Sequence, residues 1–293
     1  MRPIPAPRNP DALPMPEGDS RDWVTHPGAK QAKRYALVPC HVRHAQLNLG
    51  KGATLLDAVA QAVEENGADG ACVILDGVTL SEMSYVMPDG PADDVHAAWY
   101  SETHQADSVT LDHATASVGI KDGAWFLHTH AMWSGDGMGH LLNDLCIVAD
   151  DITVSAWLIF GARLEVELDP ETQFPLFQPK PRPTDAPSNA ALLTIRPHED
   201  LRGTLEIVCG EAGLPDAQIH GLGSLIGAGF HDASPMATPL SEVLLLDGCQ
   251  IRDGVCTGLP LACVDPKGAL YQGDLAKGDG AVLVTFEMLV VAD

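Results

Sequence analysis

Three histidines fall within thirteen residues of the stretch FLHTHAMWSGDGMGHLL at 126–142: His128, His130 and His140. Neutral imidazole is a common ligand for transition metals. On a β-strand, residues i and i+2 share a face and stand about 6.6–7 Å apart along the chain. Imidazoles leaning together from that spacing reach one ion at Zn–N distances of about 2.0–2.1 Å. The turn SGDGMG then returns the chain so that His140 approaches the same face, while Thr129 points away. A solvent-facing histidine hairpin, with His140 merely capping a turn, has the same spacing, so spacing alone leaves both readings open. Three protein nitrogens would leave a tetrahedral ion one free position, the pattern of catalytic rather than structural zinc. A water there loses its proton near neutral pH, or the ion polarises a substrate oxygen. That is the chemistry of a hydrolase or lyase acting on a small carbonyl or carboxylate metabolite. Nickel, copper and iron accept the same imidazole donors.

Neutral histidine ligands need acceptors for their second ring nitrogens. Glu102 and Asp136 are the candidate catalytic acids, and they share the acceptor role with Asp150 and Asp151. The stretch HAAWYSETHQAD at 96–107 gathers His96, Trp99, Tyr100, Glu102 and His104 in a loop that could wall a pocket, although Trp and Tyr serve equally as loop anchors. His113 reads as a core histidine rather than a further ligand. Arg43 and Arg196, at matching places in two similar strands, read as structural ion-pair partners. HGLGSLIGAG has the spacing G-x-G-x-x-x-G with no helix behind it, which excludes a dinucleotide loop. The G-x-S-x-G elbow and the G-x-x-x-x-G-K-[ST] loop are absent from the sequence.

The elements that must position these residues come twice. Each body opens on an apolar strand ending in Arg, YALVPCHVR and ALLTIR. A helix follows in each. Thr54 caps the first with Asp57 three residues on, Leu55, Leu56, Val59, Ala62 and Val63 form its apolar face, and Gly67 ends it. Asp200 caps the second, Leu201, Leu205 and Val208 face inward, and Gly213 stops it, with Gly203 and Gly210 lowering its intrinsic propensity. The strands GACVILDGVTLSEMSY and DAQIHGLGSLIGAGFH come next, at a constant offset of 146 residues. Asp-Gly hairpin signals recur in KDGAW and RDGVC. One helix among many short strands predicts an α+β fold: a largely antiparallel sheet with one main helix, in two tandem copies. The expected boundaries are a proline-rich arm at 1–33, a first domain at 34–168, a proline-rich linker at 169–189 and a second domain at 190–293; Phe174 and Phe177 suggest that the first half of the linker packs onto the preceding domain.

The order GLGSLIGAGF, a hairpin, H-x-H, a glycine turn, GHLL and a final VLVTFEM strand resembles the plants-and-prokaryotes-conserved (PPC) domain. The second half carries most of the pattern and the first half supplies LHTHA and GHLL, so two copies cover about 35–165 and 190–293. The resemblance implies a compact α+β fold, a tendency to homotrimers, and a metal, expected to be zinc, on His128, His130 and His140. The family's DNA-binding label comes from plant members that join the domain to AT-hooks, and this chain lacks the Arg-Gly-Arg-Pro core. The positions matching the three histidines in the second half are Leu259, Leu261 and Asp274. A functional first copy and a structural second copy follow from that contrast.

Bulk properties narrow the class. With 45% apolar and 19% charged residues, the 293-residue chain has the composition of a globular protein. Residues 1–34 hold six basic and four acidic side chains, and the remainder holds 11 basic and 36 acidic ones. So acidic a body repels phosphate backbones, which makes a nucleic-acid partner unexpected and a small molecule the expected one. No apolar run reaches a bilayer-spanning length and no secretory core opens the chain, so a cytoplasmic, non-membrane protein is expected. Seven cysteines without a C-x-x-C pair read as buried, reduced thiols.

Overall fold

The computed structural model describes residues 20–91, 93–134 and 137–293. The first half contains β1 (Tyr35–Leu49), α1 (Leu55–Glu65), β2 (Gly70–Ile74), β3 (Thr79–Val86), β4 (Pro88–Asp89) and β5 (Trp99–Tyr100). It continues with β6 (His104–Lys121), β7 (Ala124–Trp133), β8 (Gly137–Leu141), β9 (Ile147–Val148), β10 (Ile152–Phe160), β11 (Ala162–Leu168) and β12 (Pro175–Pro181). The second half contains β13 (Ala190–Ile195), α2 (Leu201–Ala212), β14 (Ala217–Ile226), β15 (Glu242–Leu245) and β16 (Gln250–Arg252). It ends with β17 (Val255–Gly258), β18 (Pro260–Val264), β19 (Leu270–Asp274) and β20 (Ala281–Ala292). Among the described residues the fold is α+β, mostly antiparallel sheet with two α-helices.

Both helices begin and end where local chemistry directs. The Thr54 side chain accepts from Asp57 N, and Asp200 accepts from Gly203 N. Leu55, Val59 and Val63 of α1 pack on Leu80, Leu111, Val118 and Leu158; Leu201, Leu205 and Val208 of α2 pack on Ile219, Leu261 and Phe286. The turns joining β6 to β7 and β16 to β17 are alike: Asp122 and Gly123 have φ of 52° and 82°, Asp253 and Gly254 of 50° and 76°. Positive φ at both central residues matches the right-handed twist of the flanking strands, and Asp-Gly tolerates it best.

Strand β10 lies between β1 and β2, and β20 lies between β13 and β14, all antiparallel. Strand β1 also stitches the halves together. Its first part, Tyr35–Cys40, pairs with β13, and His41–Leu49 pairs with β10. An apolar seam backs this junction, with Val42, Ile159, Leu164, Phe177, Leu192 and Leu289. A second seam joins Met132 and Met138 to Leu222, Leu244 and Val264.

Two segments placed outside the expected domains are docked, the first of them in the half of the linker where Phe174 and Phe177 suggest packing. Pro175–Pro181, inside the expected linker 169–189, is strand β12 paired with β11, and it drives Phe177 into the seam. Proline is tolerated there because, among the described residues, the register pairs β12 with β11 alone. In the described part of the arm, Val24 packs on Ile226, Leu240 and Leu283, and His26 Nε2 donates to Leu283 O at 2.7 Å. Arg34 clamps Glu171 with two bonds of 2.8 and 3.1 Å and reaches Glu199 at 2.8 Å. Among the described residues, no helix is long and apolar enough to cross a membrane. All seven cysteines are free and buried.

Candidate metal centre

Strand β7 lies between β6 and β8, with Ser117 opposite His128, Thr115 opposite His130, and His130 opposite His140. This register and the two-residue alternation put the three imidazoles on one face, turned toward the second half. Ring centroids are 4.8 Å apart for His128 and His130, 4.8 Å for His128 and His140, and 5.5 Å for His130 and His140. Thr129 points the other way into the core and is fully buried.

A fourth donor completes the group. Glu242, at the start of β15, places Oε2 2.6 Å from His130 Nε2. Ligand atoms of His128, His130, His140 and Glu242 all lie within 4.8 Å of one another. The three expected histidines are together in this group, and a donor that the sequence reading did not include joins them. The second half brings its own carboxylate across the seam.

The outer partners define the tautomers. His130 Nδ1 lies 2.8 Å from Val243 O, a carbonyl that can only accept, so Nδ1 carries the proton. His128 Nδ1 lies 2.9 Å from Glu287 Oε2, so it too donates. In the neutral rings both Nε2 lone pairs then face inward, 3.1 Å apart, beside the Glu242 carboxylate. Three acceptors so close repel one another unless a cation or a proton lies between them. For a tetrahedral ion at about 2.0–2.1 Å, donor–donor edges are about 3.3–3.4 Å, close to the observed nitrogen pair. His140 Nδ1 is buried without a hydrogen-bond partner, as an atom reserved for a ligand outside the chain would be. The donor set fits a divalent transition metal.

Electrostatics follow from burial and from the two acids. Burial opposes charge on His128, but the charge and hydrogen bond of Glu287 outweigh it and raise the His128 pKa. Burial, followed by the neighbouring His128 and His130, holds His140 well below the ordinary imidazole value, which keeps its lone pair available.

Other sequence candidates fall elsewhere. Glu102 is exposed and outside the donor group, and Asp136 lies outside the described residues. Asp150 and Asp151 bond Lys51 instead, at 3.1 and 2.8 Å. His113 is not a core residue: it is exposed, 3.3 Å from Asp76. Arg43 contacts the Asn66 amide at 3.4 Å and forms no ion pair among the described residues, whereas Arg196 pairs with buried Asp169. His96 bonds Asp93 and meets the Trp99 and Phe174 rings edge-on. Tyr100 does reach the site, with its ring edge-on to His140 at 5.2 Å. In the second half, Leu261 pairs with Gly273, so register makes Gly273 the counterpart of His140, and Asp274 instead accepts from Leu259 N. Sequence reasoning missed Glu242 and Glu287. The available signal was Glu287 as the sole charge in the apolar final strand AVLVTFEMLVVA, since a buried charge requires a partner.

The sequence matches no family model and no curated protein. Solved structures similar to it include a plant- and prokaryote-conserved (PPC) protein from Pyrococcus horikoshii (16% identity, 51% of this chain and 97% of that chain, TM-score 0.38). A metal-containing protein from Archaeoglobus fulgidus (20%, 46% and 93%, 0.35) is another. So is a candidate DNA-binding protein from Ralstonia eutropha JMP134 (21%, 45% and 89%, 0.36). The chain is similar to PPC-type proteins. Each of these structures matches about half of it.

Proposed function

We propose that this chain is a metal-binding protein of tandem PPC-like architecture, in which His128, His130 and His140 from one copy and Glu242 from the other hold one divalent ion, with zinc as the leading candidate. The observation that carries the reading is the convergence of two Nε2 atoms, 3.1 Å apart, and a carboxylate oxygen in the inter-half seam. Charge supports it: Glu242 and Glu287 together offset the two positive charges of such an ion, so the seam closes without net charge. Both outer nitrogens are held by the protein, as ligating histidines require.

The finer reading is a hydrolase or lyase acting on a small carbonyl or carboxylate metabolite, in a cytoplasmic homotrimer without a nucleic-acid or membrane partner. Bound metal would supply Lewis acidity to a substrate oxygen. The chain's own contributions would be Glu242 as balancing charge, Glu287 and Val243 O as keepers of the Nδ1 protons, and Tyr100 as a wall against His140. Partial exposure of His128 and His140 leaves that side approachable by a small molecule. A regulatory or DNA-associated protein with a structural metal is the second reading, and the four protein donors favour it, because they fill a tetrahedral shell.

Elemental analysis of purified full-length protein tests the first claim. About one ion per chain is expected, lost in His128→Ala/His130→Ala and reduced in Glu242→Gln. Wild-type metal content in the double variant would remove the site. Turnover of small esters or oxo acids that disappears on chelation supports catalysis. Salt-dependent duplex DNA binding without turnover supports the second reading.

A further inference from the structure

A different constellation occupies the seam behind the histidine group. A cleft of about 340 Å³ opens between Asp76 and His113 of the first half and His220 and Asp247 of the second. That volume lies at the low end of pockets that hold small molecules. Its wall includes Thr115, the cross-strand partner of His130, and Leu244, which follows the carbonyl that His130 bonds. None of the four metal-donor residues lines it, so the two sites adjoin without sharing a group.

The two imidazoles of the cleft are each held by one nitrogen. Trp157 Nε1–H, which can only donate, lies 3.0 Å from His220 Nε2. His220 must therefore carry its proton on Nδ1, which has no hydrogen-bond partner among the described residues and is a donor for a ligand. Burial lowers the His220 pKa, which keeps the ring in this neutral form. Opposite it, the Asp76 carboxylate accepts from Ala114 N at 2.8 Å and lies 3.3 Å from His113 Nδ1. His113 accordingly donates from Nδ1 and, when neutral, offers Nε2 as an acceptor. The cleft thus presents one fixed donor and one fixed acceptor from opposite walls. Its charge is negative, because Asp76 and Asp247 line it while the Arg252 guanidinium is engaged by the Asp293 carboxylate.

We infer that this cleft is a second ligand site, built for a small amine that also carries hydrogen-bonding oxygen, of the amino-alcohol or amino-sugar class. The ammonium faces Asp247, a hydroxyl donates to His113 Nε2, and an oxygen accepts from His220 Nδ1–H. A metal is a poorer fit, since among the described residues only the histidine–Glu242 group converges as a ligand set.

The test is titration of metal-loaded full-length protein with D-glucosamine, followed through the imidazole ¹H–¹⁵N resonances of His113 and His220. Saturable shifts at both rings are expected, with a Kd on the order of 1 mM, typical of a few exposed polar contacts. Glucose, which keeps the ring and lacks the charge, should bind about two- to fivefold more weakly, and Asp247→Asn should weaken glucosamine by a similar factor. His113→Gln should abolish the His220 shift at the same concentration while leaving metal content unchanged. Both replaced side chains are exposed, so folding is not at stake. Absence of shifts at both rings up to about 20 mM would overturn the proposal. So would glucose binding as tightly as glucosamine, or unchanged affinity in both variants.

Discussion

Replacing Glu287 by Gln isolates what the second half contributes through an outer contact. The Glu287 side chain is 2% exposed, and Oε2 accepts from His128 Nδ1 at 2.9 Å. The carboxylate fixes the tautomer that turns His128 Nε2 inward, and its charge makes that nitrogen a stronger donor to a cation. Glutamine keeps the volume and removes the charge. Its amide can present either oxygen or NH₂ to Nδ1, and the NH₂ orientation stabilises the wrong tautomer. Loss of such outer partners weakens metal binding by about 10–100-fold, or about 1.4–2.8 kcal/mol. The deep burial of Glu287 puts the expected effect in the upper part of that range, because little solvent screens the lost charge. Glu287→Ala should be worse, since an Nδ1–H left without a partner adds about 1–3 kcal/mol. The assay is competition for zinc between apo protein and a chelator of known affinity at fixed pH, with far-ultraviolet circular dichroism confirming that each variant is folded. Affinities of both variants within threefold of the parent would refute the claim that Glu287 supports the site.

Three further outcomes are expected. Thr129→Val should stabilise the protein by about 1 kcal/mol in urea unfolding, because its hydroxyl is buried without a partner and valine fills the same space. Arg34→Met should destabilise by about 3–5 kcal/mol in the same assay, by leaving the buried Glu171 carboxylate without its bidentate partner. The docked arm should be acid-sensitive. Burial is the main cause holding the His26 pKa below the ordinary value; it and the His198 charge outweigh the Leu283 hydrogen bond and the Glu171 and Asp169 charges, which act the other way, so the unfolded chain binds the proton more readily. Stability from this group is therefore present above the unfolded value of about 6.5 and is lost as pH falls toward the folded one. Limited proteolysis near Trp23 should accelerate across that window, and less so in His26→Gln.

What was legible in the sequence was local. Thr54 with Asp57, and Asp200, signal helix starts because a cap needs only residues three apart. Asp122–Gly123 and Asp253–Gly254 signal tight turns because the backbone demand falls on the pair itself. The H-x-H spacing foretold a shared face because strand alternation is a property of the segment. Glu287 reaches His128 across 159 residues, and Val243 reaches His130 across 113, so no window of sequence contains either contact. His113 was misplaced for a related reason: it sits beside the register shift between Leu111 and His113 in the β6–β7 pair, which changes the face a residue occupies. The packing of β12 was legible in Phe174 and Phe177, but its pairing as a strand was obscured by its prolines, which signal a linker unless the strand lies at an edge.

The contrast between the two halves also changes meaning once the seam is known. Leucines at 259 and 261 and a glycine at 273 stand in the second half where register matches the histidines, and they offer no metal donor. Yet that half holds Glu242, Val243 O and Glu287 against the imidazoles of the first, each from a strand packed in its own core. A buried glutamate in the middle of an apolar strand opposes folding without its partner across the seam. The polar groups that the two halves bring to the seam are therefore complementary, imidazoles from one and carboxylates from the other. Metal affinity and the docking of the halves must then rise and fall together. A seam substitution distant from the donors, such as Leu222→Ala against Met132 and Met138, should lower zinc affinity without touching a ligand. Unchanged affinity in that variant would show that the donors converge independently of how the halves pack.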